Sequence, residues 1–262
     1  MSDPRRRSGV VALKDLVRCA DEWLEPGRYE DYPGAVNGLQ FENTGRVRRI
    51  GAAVDGTLTV ATRAVAAGCD LLLVHHGLFW GKTTPWTGRR AELIRLLVGA
   101  DMAVYSQHLP LDGHPRLGNA AGLARALGFR AWKPFFRRGE VHVGVRVRLA
   151  RALPREDLAA RLAAVLGDAP KILPGGPAVC REIGICTGGA GSELPQAAAE
   201  GVDTLITGEG PHWTFALSED CGVNAFYGGH YATETFGVKA LAEALSRRWG
   251  VPWEFIEHPT GL

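Results

Sequence analysis

The chain has 262 residues, 46% of them apolar and 22% charged, with a formal net charge of +2. That length carries one large or two moderate hydrophobic cores, and so slight a charge excess gives no argument for nucleic-acid or membrane binding. Five cysteines (Cys19, Cys69, Cys180, Cys186, Cys221) form an odd set without C-x-x-C spacing, which argues against a disulfide framework and against a thiolate zinc site.

Reduced, mostly buried thiols and a cytoplasmic location are expected. No stretch has the apolar length of a signal peptide or of a ~20-residue membrane span, and Arg5-Arg6-Arg7 reads as a solvated tail.

In chain order, Leu13, Leu16, Val17, Ala20, Trp23 and Leu24 recur at helical spacing, and Pro26-Gly27 ends the pattern. Asn37-Gly38 reads as a turn leading into a short apolar segment. From Arg48 the pattern predicts strand Ile50–Val54, helix Thr57–Ala67, strand Asp70–His75, helix Arg89–Gly99, strand Met102–Ser106 and helix Leu117–Leu127. Such alternation implies right-handed crossovers and a largely parallel sheet. Val141, Val143, Val145, Val147 and Leu149 then alternate as a half-buried strand, followed by a helix over Pro154–Leu166 and a loop at 173–177. A second series runs strand Ile183–Thr187, a Gly-rich turn at 188–191, helix Glu193–Glu200 and strand Asp203–Thr207, and closes with a further helix and strand, a long helix over Ala232–Arg248 and a last strand over Trp253–Ile256.

The stretch Leu71-Leu72-Leu73-Val74-His75-His76-Gly77 joins a buried strand to two imidazoles at its carboxyl end, where parallel sheets collect ligands. On an extended backbone His75 and His76 face opposite ways, so one ion per imidazole suits them better than joint chelation of a single ion. Hydrogen bonding to nearby carbonyls is the plain alternative. The passage Ala67–Gly77 is echoed by Glu200–Gly210, with Glu209 standing where His76 stands. Tyr105, His108 and Asp112 are likewise echoed by Tyr227, His230 and Glu234, and each set runs on into an Ala/Leu-rich helix. Two related αβ halves are therefore expected.

Glu234 falls about one turn after His230, so both can face one point if that segment is helical. His108 and Asp112 need a loop between them because Pro110 intervenes. His75, His76, Asp112, His230 and Glu234 together make three imidazoles and two carboxylates. This sulfur-free set suits two divalent transition metal ions (zinc, iron, manganese or nickel) that share a ligand and leave positions for an anionic substrate. The Gly188–Ser192 run reads either as a phosphate cradle or as a plain helix cap at Ser192. Glu209 and His212 read as remnants of a duplicated site or as surface polar groups.

At Asn37-Gly38-Leu39-Gln40, Val74-His75-His76-Gly77, His108-Leu109-Pro110-Leu111-Asp112, Gly188-Gly189-Ala190, Thr207-Gly208-Glu209 and Gly229-His230-Tyr231-Ala232-Thr233-Glu234, the chain resembles the GTP cyclohydrolase I type 2 homologues, or Nif-three-like dinuclear-metal proteins, in their short form. The resemblance puts the family's ligands on the five residues above, with His108 beside the metals and Asn37 in a family motif. It implies an α/β fold of two related domains with mixed, largely parallel sheets sandwiched by helices. The first would be 1–129 with 228–262, and the inserted second 130–227. A homohexameric ring facing an interior cavity is implied as well. The functional expectation is a metal-dependent hydrolase of a nucleotide-like or phosphorylated small molecule. The alternative is a non-catalytic role in metal handling, or a ring that binds protein or nucleic acid.

Overall fold

Strands that are covered on both faces need no alternation of apolar and polar residues, and Leu71 to Val74 is such a run, each member at most 2% exposed. The computed structural model describes residues 9–82 and 84–262, so Arg5, Arg6 and Arg7 lie outside the described residues. In chain order the elements begin with β1 (Val11–Ala12), α1 (Leu13–Leu24), β2 (Gly38–Phe41), β3 (Arg46–Val47), β4 (Ile50–Asp55), α2 (Leu58–Ala66), β5 (Leu71–His76), α3 (Gly88–Gly99), β6 (Ala103–Ser106) and α4 (Leu109–Gly113). They continue with α5 (Asn119–Ala126), β7 (Lys133–Arg138), β8 (Val141–Pro154), α6 (Arg155–Leu166), β9 (Lys171–Pro174), β10 (Val179–Ile185), α7 (Leu194–Ala199), β11 (Thr204–Thr207) and α8 (Thr214–Cys221). The last elements are β12 (Asn224–Tyr227), α9 (His230–Thr233), α10 (Thr235–Trp249) and β13 (Trp253–Phe255).

Two compact units result. The first joins the described residues up to Leu111 with Val238–His258, and the second joins Asp112–Gly237 with Pro259–Leu262. The boundaries expected at 129/130 and 227/228 are thus displaced. The reason is packing: α5 and Phe236 contribute to the same core as Val145, Leu158, Ile183 and Phe226, so both flanks of the expected insert belong with it.

In the first unit the sheet order is β13-β4-β5-β6-β2, parallel except for β2, which pairs antiparallel with β6. The segment after Asn37 is therefore an edge strand, not only a turn. In the second unit the order is β7-β8-β10-β11-β12-β9, with β10, β11 and β12 parallel and the remaining pairings antiparallel. The α/β class with mixed sheets is as expected, but the loop expected at 173–177 is partly strand β9. A four-residue edge strand ending in Pro174 carries too short a pattern to reveal itself. The internal echo corresponds to shared topology: β4-α2-β5-α3-β6 in one unit and β10-α7-β11-α8-β12 in the other, each with an antiparallel strand on the edge of its third parallel strand.

All five cysteines are free thiols, and all but Cys221 are buried. No helix among the described residues is long and apolar enough to cross a membrane.

The half-buried strand expected from Val141 is β8, and the sequence pattern gives no sign of its hairpin partner β7. Strand β7 contains Phe136 at φ +64, in the left-handed region that costs a bulky side chain energy. Glu200 braces this point: its carboxylate accepts from the Phe136 and Arg137 amides (2.8 and 2.9 Å) and from Gln196 Nε2 (2.8 Å). Burial works to raise the Glu200 pKa, but the Gln196 bond and the two amides outweigh it and hold it below the ordinary carboxylate value. A carboxyl depressed in the folded state stabilises above its unfolded pKa, and that contribution fades as pH falls through the folded value. Glu200→Gln is therefore expected to cost about 1 kcal/mol at pH 7 and progressively less towards pH 3. Urea unfolding at both pH values checks this; an equal cost at both would show that the charge does no stabilising.

Candidate metal centre

Parallel pairing aligns the carboxyl ends of β4, β5 and β6, and that alignment builds the first donor cluster. Asp55 and His76 are register partners, and His76 Nδ1 lies 2.8 Å from Asp55 Oδ1. His75 is fully buried; its Nδ1 donates to the Gln107 carbonyl just past β6 at 2.9 Å. A hydrogen-bond network under that carbonyl fixes it in turn. Gln107 Nε2 donates to Tyr105 Oη (2.6 Å) and to Asp21 (3.2 Å), and Tyr105 Oη donates to Asp21 (2.7 Å).

His108 follows at the start of α4, a single turn over Leu109–Gly113. The structure corrects the expectation of a loop here. Pro110 sits in the first turn, where its missing N–H would have no helical partner anyway. His108 Nδ1 lies 2.7 Å from Asp31 Oδ1, while Asn37 Oδ1 accepts from the His108 amide (2.7 Å) and its Nδ2 donates to Asp31 (2.8 Å). Burial works to raise the Asp31 pKa, but the hydrogen bond and charge of His108, with Asn37 and the Tyr32 amide, hold it at about 2. Ring centroids of His75 and His76 are 4.8 Å apart, and those of His75 and His108 4.9 Å. One ligand atom from each of the three lies within 4.8 Å of the others. The twin imidazoles therefore converge, because His76 ends its strand and the backbone turns there.

The second unit assembles its donors at the equivalent strand ends. His230 opens α9, and Glu234 closes it as the residue between α9 and α10, so the expected continuous helix is broken there. His230 Nε2 lies 3.1 Å from Glu234 Oε2, and Nδ1 lies 2.7 Å from Glu209 Oε1. Burial lowers the His230 pKa, but Glu234 and then Glu209 more than compensate and push it up to about 9. Asp112 and Glu234, 7% and 2% exposed, have carboxylate oxygens within 4.8 Å of one another. Asp112 Oδ1 accepts from Asn119 Nδ2 (2.8 Å) and Thr187 Oγ1 (3.0 Å).

Gly188, at φ +70, lets the backbone pass under this acid: a Cβ there would lie 2.2 Å from Glu234 Oε1. The amides of Gly188, Ala190 and Gly191 donate to Thr233, Thr207 and Glu209, so this glycine run serves close approach rather than a phosphate cradle. Ser192 lies inside a 3-10 turn over Ala190–Glu193 and does not cap α7.

Of the predicted ligands, His75 and His76 thus meet in one unit, where His108, expected only beside the metals, joins them as a further candidate donor, and Asp112, His230 and Glu234 lie in the other. Sequence reading missed Asp31, Asp55 and Gln107, which orient the first set. Asp55 had a legible signal, since like His76 it ends a strand of the parallel series. Four histidines have Nδ1 committed to an oxygen acceptor, which puts the lone pair of the neutral ring on Nε2. Outer oxygen partners of this kind fix metal-ligating imidazoles, so the donor set fits divalent transition metals.

The profile of the Duf34/NIF3 (NGG1p interacting factor 3) family matches residues 11–261. A Deinococcus radiodurans protein named "GTP cyclohydrolase 1 type 2 homolog" is 41% identical over 254 residues, covering 97% of this chain and 96% of its own. One of the same name from Halobacterium salinarum is 44% identical over 254 residues, covering 95% and 99%. Among solved structures, TTHA1606 from Thermus thermophilus superposes with a TM-score of 0.88 at 37% identity, covering 96% of this chain and all of that one.

Asp55→Ala is expected to weaken divalent-ion binding by about 10–100-fold, read by competition with a chromophoric chelator. An unchanged affinity would mean that His76 needs no orienting partner.

Proposed function

The chain belongs to the Duf34/NIF3 family, and on that footing we propose that it is a dinuclear metal protein acting as a hydrolase on a nucleotide-like or phosphorylated small molecule. The proposed ligands are His75, His76, Asp112, His230 and Glu234, with His108, Asn37 and Glu209 beside them. The observation that carries the reading is the common orientation of the imidazoles, each with Nδ1 held by an oxygen. Hydrogen-bonded surface histidines have no need of such a repeated arrangement.

A pair of zinc, iron, manganese or nickel ions there would supply Lewis acidity towards an anionic group. The chain's own residues do the rest. Asp31, Asp55 and Glu209 orient imidazoles, the Asp112 and Glu234 carboxylates balance cationic charge, and His230 holds a proton between Glu209 and Glu234 until a cation takes its place. Burial of His75, Asp112 and Glu234 excludes water from their flanks and strengthens each electrostatic interaction. The proposed assembly is a cytoplasmic homohexamer.

Gently purified protein is expected to carry two equivalents of a transition metal per chain by elemental analysis, and His75→Ala and Glu234→Ala less than one. A single equivalent unaffected by Glu234→Ala would overturn the dinuclear assignment. Metal-loaded protein is expected to turn over a member of a nucleotide and phosphoester panel, with at least a 10²-fold loss in Glu234→Gln, the scale on which one electrostatic group contributes. Absence of turnover, with wild type and variant alike, would leave metal handling as the role. Light scattering checks the assembly, for which six copies of the 28.1 kDa chain are expected.

A further inference from the structure

Exposed aromatic rings beside a buried polar cluster call for a reason, because each ring could bury a large area at a favourable free energy. Two such rings border the first donor cluster. Trp80 is 40% exposed and stands perpendicular to His108 (centroids 4.8 Å, 84°), and edge-on to His76 as well (5.5 Å, 71°). Tyr32, 47% exposed, stands 5.7 Å from the same His108 ring at 51°.

The two rings belong to separate loops, and the loops are cross-braced. Gly81 N donates to the Pro33 carbonyl (3.0 Å). Gln40 donates to the Val36 carbonyl (2.6 Å) and accepts from the Leu78 amide (2.5 Å), tying both loops to one side chain. Gly34 packs so closely on Gly81 that a Cβ would lie 2.1 Å from its carbonyl oxygen. Asp31, which orients His108, also accepts from the Tyr32 amide (2.7 Å). The rings are therefore held in place on the same framework as the imidazoles.

We propose that Tyr32 and Trp80 form a recognition mouth for a planar heteroaromatic ring, such as a nucleobase, carried by the anion that the donor cluster takes. This rests on the metal-site reading above and narrows it: a phosphorylated sugar alone would leave both rings in water. A base offers a π face to either ring, and stacking of that kind survives in water because each face is apolar. Preorganised loops spare the ligand the entropy of ordering them.

Calorimetric titration of metal-loaded protein with GMP, ribose 5-phosphate and inorganic phosphate tests the proposal, with guanosine added to metal-free protein as the arm that needs no ion. GMP is expected to bind at least about tenfold more tightly than ribose 5-phosphate. Trp80→Leu and Tyr32→Leu should each cut that preference, read as the ratio of GMP to ribose 5-phosphate affinity in protein of matched metal content, severalfold, and Trp80→Phe should restore most of it. Equal affinity for GMP and ribose 5-phosphate in protein shown to hold its metal would overturn the mouth, as would a preference that survives both leucine variants. Guanosine binding to metal-free protein that Trp80→Leu abolishes would support the mouth even if the metal reading failed. If no metal is taken up and guanosine does not bind, the mouth is refuted together with it.

Discussion

Every imidazole in the two donor clusters has one nitrogen tied to an oxygen, and the remainder of the structure around the clusters serves that tie. An untethered imidazole rotates about two side-chain bonds and exchanges tautomers, so the position and character of its donor atom are undefined. A carbonyl at His75 and carboxylates at His76, His108 and His230 remove both freedoms. The tether also makes burial tolerable: fully enclosed, His75 would otherwise sacrifice its hydration at Nδ1.

Parallel strand pairing delivers these tethers. Because β4 and β5 run in register, Asp55 arrives beside His76 without a dedicated loop. The same strand-helix repeat in the second unit sets Glu209 just past the end of β11 and His230 just past the end of β12. The duplication is therefore asymmetric in chemistry. Where the first unit ends its central strand on an imidazole, the second carries just past its strand a carboxylate that orients the imidazole arriving after the next strand. The same strand-end position thus supplies a donor in one unit and a donor's support in the other.

Charge is distributed just as unevenly. The first unit's cluster is of imidazoles, with Asp31 and Asp55 behind them. The second brings the buried carboxylates of Asp112 and Glu234 within 4.8 Å of each other. Two enclosed carboxylates at that separation, when ionised, repel strongly unless a cation compensates them, and His230, pushed to a pKa of about 9 by Glu234 and Glu209, supplies one beside Glu234. A proton on His230 is thus one answer to that electrostatic demand, and a divalent cation in the proposed site would be another.

The αβ alternation, the two-unit repeat and the chemistry of the donors were legible in the amino-acid order, because each is carried by local periodicity or by residue type at a strand end. Leu71 to Val74 announces a doubly covered strand, and the paired spacing of His108 with Asp112 and of His230 with Glu234 betrays the duplication. What lay beyond the sequence depends on contacts between distant segments. The convergence of His75 and His76, the edge strands β2 and β9, and the attachment of α5 to the second unit's core all follow from packing that no short window encodes. The service of Asp31 to a histidine 77 positions away is of the same kind. Periodicity reports which face of an element is apolar; only the folded chain decides what that face meets.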